Sequence, residues 1–263
     1  MANSWEGPSC GSTVCYEPDP MRPRMKSRGL QWDDVDAIRE NVAKYRFNHW
    51  GFVIFRCNYK SQSKWDQFIG LAKQEAQEYF AQHRWGDLSD KLTWTIIEDA
   101  ITLEGASLAT TAQLFVDWVE GPGGQQDREG SIFDTNAYDD FKDTKVYNYG
   151  ARYNFYLHAD EESVESVVDD AKAGRADGYF CTLVRADMAL SAEQDRLEGV
   201  CYPEEGPEEG EEEDEEERKF EEERELLDVR KRVHIDQLIF MYGHVLDSNR
   251  WYNIPVKYGV VEI

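Results

Sequence analysis

A chain of 263 residues, 41% hydrophobic and 13% aromatic, holds enough apolar material for one large folded domain or two small ones. Its formal net charge of −24 at pH 7 disfavours nucleic acid and anionic membrane surfaces as partners and favours basic ones. No apolar run approaches the roughly 20 residues that span a bilayer, and the N-terminal MANSWEGPSCGSTVCYEPDP lacks the basic and apolar regions of a signal peptide. The expectation is an intracellular protein, cytoplasmic before nuclear.

Residues 1–30, rich in Pro, Gly and Ser, read as a flexible N-terminal arm. QWDDVDAIRENVAKYRF (31–47) places Val35, Ile38, Val42 and Tyr45 at helical spacing. WGFVIFRC then alternates two apolar sets, Phe52 and Ile54 leading to Arg56, and Val53 and Phe55 leading to Cys57. A strand apolar on both faces belongs in the middle of a sheet. Ser61 or Ser63 caps a long helix whose inward face is Trp65, Phe68, Ile69, Ala72, Ala76 and Tyr79 or Phe80.

LTWTIIE (92–98) predicts a second strand, and Ser107 caps a helix, SLATTAQLFVDWV, that Gly121-Pro122 stops. A polar loop of about thirty residues follows, then a third strand, ARYNFYLH (151–158). Asp160 caps DEESVESVVDDAKAG, with Val164, Val167, Val168 and Ala171 inward, and GYFCTLVR (178–185) is a fourth strand.

Residues 203–225, PEEGPEEGEEEDEEERKFEEERE, carry fifteen acidic and three basic side chains, half of the net charge. Like charges at that density repel and leave little to bury, so this insert is expected to be disordered. Beyond it, residues 226–263 predict a short strand, an Asp236-capped helix QLIFMYGHVL and a terminal strand VKYGVVEI that complete the core.

The strand–helix–strand rhythm predicts an α+β fold for the core, 31–200 and 226–263. The simplest arrangement is a ferredoxin-like split βαβ sandwich, outer strands antiparallel to the central pair, with the 107–119 helix inserted.

Five cysteines, an odd number at wide spacing, argue against a disulfide framework. Cys57 and Cys181 read as small buried hydrophobes, and no Cys/His pair follows Cys10 and Cys15 at zinc-site spacing. The histidines at 49, 83, 158, 234 and 244 have no ligand spacing, and no GxSxG, P-loop, HExxH, GxGxxG or CxxC occurs. No catalytic residue, metal or cofactor is assigned.

The polar residues Arg152, Asn154, Tyr156 and His158 share one face of the third strand. If Phe52, Ile54 and Arg56 point the same way, Arg56, Arg152, Tyr156 and His158 form a candidate ligand-binding surface for an anionic or planar molecule. A plainer reading pairs Arg56 with Glu98 or Asp160 and makes Asp160 a helix cap. An uncovered face carrying Phe52 and Ile54 would also invite a second copy of the chain.

The segments WGFVIFR, LTWTIIED, RYNFYLHADEE and DSNRWYNI are similar to those of a large uncharacterised protein family of filamentous fungi. The resemblance spans roughly residues 45–255 and implies intracellular origin and a shared α+β core with variable inserts. It implies no activity. The first functional expectation is a non-enzymatic protein-interaction module, with a protein partner that the acidic segment helps to engage. The alternatives are an enzyme or small-ligand binder that uses the sheet face, and an acidic carrier or mimic of basic-protein ligands.

Overall fold

The computed structural model describes residues 34–83, 85–134, 150–167, 179–198, 229–246, 248–254, 256–257 and 260–261. The N-terminal arm and the acidic insert predicted at 203–225 lie outside the described residues. So do Cys10, Cys15, Cys201 and the end of the helix predicted after Asp160.

Helix α1 (Asp34–Tyr45) leads into β1 (Val53–Arg56), α2 (Gln62–His83), the single turn α3 (Gly86–Ser89) and β2 (Thr95–Ile97). Then come α4 (Ala100–Leu103), α5 (Leu108–Glu120), α6 (Pro122–Asp127), β3 (Phe155–Ala159) and α7 (Glu161–Ser166). The chain continues through β4 (Phe180–Arg185), α8 (Ala186–Glu198), β5 (Arg230–His234) and α9 (Leu238–His244). It ends in the short strands β6 (Val256–Lys257) and β7 (Val260–Val261).

The sheet order is β2-β1-β3-β4-β5-β7-β6. β1 runs parallel to both β2 and β3, β4 is antiparallel to β3 and β5, and β7 is parallel to β5. The fold is α+β, as expected, and β1 and β3 are neighbouring, parallel interior strands. The ferredoxin-like arrangement is not what forms, because β2 lies beside β1 and parallel to it. The long α2 crossover is the reason: it returns the chain to the starting end of the sheet, as a parallel connection requires. The terminal segment is also not one strand, since β6 and β7 pair antiparallel.

Helices cover both sheet faces, giving three layers. On one face Phe52, Ile54, Phe155, Leu157, Cys181 and Leu183 pack under α1, α2 and α9. The inward set predicted for α2, Trp65 through Phe80, is buried there. On the other face Val53, Phe55, Tyr156 and Val184 meet Ala112, Phe115 and Val119 of α5 and Ala189 of α8. The alternation read in WGFVIFRC is therefore the division between two cores. Aromatic contacts pack each core: Tyr242 of α9 stands edge-on to both Trp50 and Phe52 at 5.1 Å in the first, and Phe115 lies tilted 5.1 Å from Tyr156 in the second. The Phe52 and Ile54 face is thus covered, and the apolar patch that suggested a dimer is an intramolecular core.

Two predicted caps form as read, while Asp236 lies inside a 3₁₀ turn and Gln237 opens α9 without a side-chain bond. Ser107 accepts from the Thr110 N–H to open α5, and Asp160 accepts from the Ser163 N–H to open α7. The region predicted as loop after Gly121 begins with α6, because Pro122 at a first helical position loses no needed donor.

Candidate functional site

The crossovers leave β1 on opposite sides. From β1 the chain passes over one face through α2 to β2, then over the other through α5 to β3 on the far side of β1. Where connections diverge in this way, the carboxyl ends of the neighbouring strands stand apart and leave a crevice. A cavity of about 410 Å³ lies there, at the ends of β1 and β3.

Among the described residues its walls come from four segments. Cys57 and Asn58 follow β1, and His158 and Asp160 end β3. The Glu104–Leu108 turn between α4 and α5 forms a third wall, and Arg230 at the start of β5 a fourth. Gly105 closes the turn at φ +65°, a left-handed conformation suited to glycine, and its N–H donates to the Cys57 carbonyl at 3.0 Å.

The register settles which residues face this cavity. Val53 pairs with Tyr156 and Phe55 with His158, so Tyr156 and His158 lie on the Val53, Phe55 and Cys57 side. The predicted four-residue surface does not form. Arg56 belongs to the opposite face, where its guanidinium lies 4.4 Å from the Tyr59 ring centroid and 5.0 Å from that of Trp65. It donates to the Asn58 carbonyl and the Gln62 side chain and pairs with Glu98 at 3.3 Å. It finishes a strand and holds a turn.

Arg152 sits at the other end of β3, in a 3₁₀ turn, and is only 1% exposed. Its fork binds Asp127 through two 2.8 Å bonds, and its remaining donors reach the Gly51 and Thr93 carbonyls and the Thr95 hydroxyl. Tyr153, expected on the strand, lies in the same turn and donates to Asp127. This cluster is a staple between β3, β1, β2 and α6, remote from the cavity.

Tyr156 and His158 do come together, with two residues that sequence reasoning had not joined to them. The imidazole Nδ1 is 3.1 Å from the Thr111 hydroxyl and 3.5 Å from the Cys57 sulfur. The Thr111 hydroxyl is also 2.9 Å from the Tyr156 hydroxyl, which donates to the Leu108 carbonyl. One helical residue of α5 thus ties the strand residues into a buried polar floor. Among the described residues none hydrogen-bonds His158 Nε2, which leaves that nitrogen as the ring's open bonding position.

Electrostatics keep the floor neutral. Burial first, then the nearby Asp160 and Glu104 carboxylates, pushes the Cys57 thiol up to about 12. Burial lowers His158 to about 4, Asp160 opposing and Arg230 reinforcing the shift. Burial also raises the Tyr156 phenol, against the Thr111 hydrogen bond. At neutral pH the pair is a thiol beside an imidazole, suited to hydrogen bonding and unsuited to thiolate attack. Among the described residues, no group of three or more His, Cys, Asp or Glu is placed to hold a metal ion. Nor is any described helix long and apolar enough to cross a membrane.

Thr111 carried no motif to mark it; only the helical periodicity of α5, which aims Thr111 with Phe115 at the sheet, hinted at its place. Arg230 was equally hidden, in the run RKR after the acidic insert. No family model, curated protein or solved structure matches the chain.

Proposed function

We propose that the protein binds a small polar molecule in the cavity at the carboxyl ends of β1 and β3. The observation that carries this reading is the position of His158. It is 4% exposed, fixed through Nδ1 by Thr111 and Cys57, and lines the cavity with Nε2 unbonded. A nearly buried polar group, held from one side and open toward a strand-end crevice, is what a small-molecule site requires. The earlier expectation of a flat polar sheet face gives way to this concave site.

The protein-interaction and basic-protein carrier readings draw on the charge of residues 203–225, fifteen acidic against three basic side chains. A version lacking that segment separates them from the cavity reading, since small-molecule binding would survive the deletion. The likeness to the fungal family adds a proposed intracellular origin and no activity.

The test is amide chemical-shift mapping of the full chain against a library of small polar metabolites. Binding at this site moves the signals of Cys57–Lys60, Glu104–Leu108 and His158–Glu161 together. Saturable shifts confined to other surfaces, or none with any compound, would overturn the reading.

A further inference from the structure

The charged residues that line the cavity differ in how far the protein itself satisfies them. Both Glu161 carboxylate oxygens take the Lys60 ammonium, at 2.5 and 2.6 Å. Glu104 uses one oxygen to accept the Tyr59 N–H at 2.8 Å, and Asp160 uses one for the Ser163 N–H at 2.8 Å. For each, among the described residues, the second oxygen has no donor. Arg230 is the reverse case. Its guanidinium is half-buried and makes no hydrogen bond or ion pair among the described residues, and the Asp160 and Glu162 carboxylates act on it only at longer range. The strand register carries it to the His158 side, since Arg230 pairs with Val184 and Val184 with Tyr156.

Among the described residues the cavity therefore offers one unbonded cation, Arg230, and two half-open carboxylates, its other cation, Lys60, being held by Glu161. An anion that reached Arg230 would also face Glu104 and Asp160. A cation that reached those carboxylates would face Arg230. An anion there gains one partner and meets two like charges, and a cation gains two partners and meets one like charge. A molecule with a carboxylate at one end and an ammonium at the other meets opposite charge at both. At about 410 Å³ the cavity is near the small end of ligand pockets, which run from about 300 to 1,000 Å³.

We infer that the ligand is a small zwitterion of the α-amino-acid type, its carboxylate on Arg230 and its ammonium between Glu104 and Asp160. This inference rests on the binding reading above and names the ligand class of the same site. His158 Nε2 is then placed to bond a polar group of the ligand's side chain.

The experiment titrates the full chain with each of the twenty L-amino acids by calorimetry and amide shift mapping. Each binder is compared with its carboxamide, its N-acetyl derivative and its N-acetyl amide, which leave a cation, an anion and a neutral molecule. The expected result is that at least one amino acid binds at the cavity and that either capped form weakens it tenfold or more, the scale of a charge-assisted bond. Arg230→Met is expected to remove the discrimination between the acid and its amide while its amide spectrum stays that of the folded protein. That loss of discrimination is a readout a merely structural role would not move.

Capped or singly charged compounds that bind at the cavity as well as the free amino acid would overturn the ligand class and leave the site standing. Library compounds of other classes that bind there when no amino acid does would have the same meaning. An absence of cavity binding by every compound would overturn both inferences.

Discussion

The Arg152–Asp127 staple gives a stability prediction with a defined size. Arg152 is 1% exposed and the Asp127 side chain 10%, so the pair is a desolvated, bidentate bridge with all five guanidinium donors used. Asp127→Asn keeps the shape and removes the charge, stranding a buried guanidinium. Breaking a buried pair from one side costs about 3–5 kcal/mol. Total stabilities of single domains are about 5–15 kcal/mol, so the loss is a large fraction.

Urea unfolding followed by tryptophan fluorescence should show a lower midpoint with an unchanged slope. The melting temperature should fall by about 10 °C. Asp127→Leu combined with Arg152→Met should recover much of the loss, because an apolar pair carries no desolvation penalty. Burial tends to raise the Asp127 carboxyl, but the Arg152 hydrogen bonds and charge and the Tyr153 hydroxyl together hold it below the usual range. A depressed folded value stabilises the protein above the unfolded carboxylate range of about 3.9, and that stability is lost as pH falls through the folded value. The acid limb of the stability curve should therefore be shallower in Asp127→Asn. A loss under 1 kcal/mol, or an unaltered acid limb, would refute the assignment of Arg152 to the framework.

Other outcomes follow from the same coordinates. His158 is held neutral to about pH 4, whereas an unfolded imidazole protonates near 6.5; the unfolded chain therefore binds the extra proton, and stability should fall between those values as pH drops. His158→Gln should flatten that interval in a urea-midpoint series, and an unchanged slope would contradict the buried, neutral imidazole. Cys57 and Cys181, both buried with raised thiol values, should resist iodoacetamide at pH 8 in the folded protein and react once it is unfolded, as site-resolved mass spectrometry would read. Gly51 adopts φ +107° and a Cβ there would meet the Leu92 side chain at 2.7 Å and the Thr93 carbonyl oxygen at 2.9 Å, so Gly51→Ala should destabilise by about 1–3 kcal/mol in thermal melts.

Local chemistry was legible in the sequence; relative placement was not. The two-sided apolarity of residues 52–57 marked a central strand, and Ser107 and Asp160 were readable caps because a side-chain oxygen before a helix has one common use. Helix α8 escaped notice, since ADMALSAEQDRLE is rich in helix formers yet, among its described residues, buries only the small side chains Ala186 and Ala189 fully, with Met188 and Leu190 packed part-buried beside them. The side of the sheet on which each crossover passes depends on packing between distant segments, so three layers read as two. Register had the largest consequence for the site. Period-two alternation gives two faces to each strand, but the pairing of Phe55 with His158 alone places Arg56 opposite the polar set. Arg152 resembled a ligand group because a sequence shows its charge and hides Asp127, 25 residues away.

The central claim, a small-molecule site at the ends of β1 and β3, is tested most directly by a crystallographic fragment screen of the full chain. The account predicts fragment density in the cavity with a polar atom within hydrogen-bonding distance of His158 Nε2. Fragments gathered at another surface, with the cavity empty across the whole screen, would contradict it.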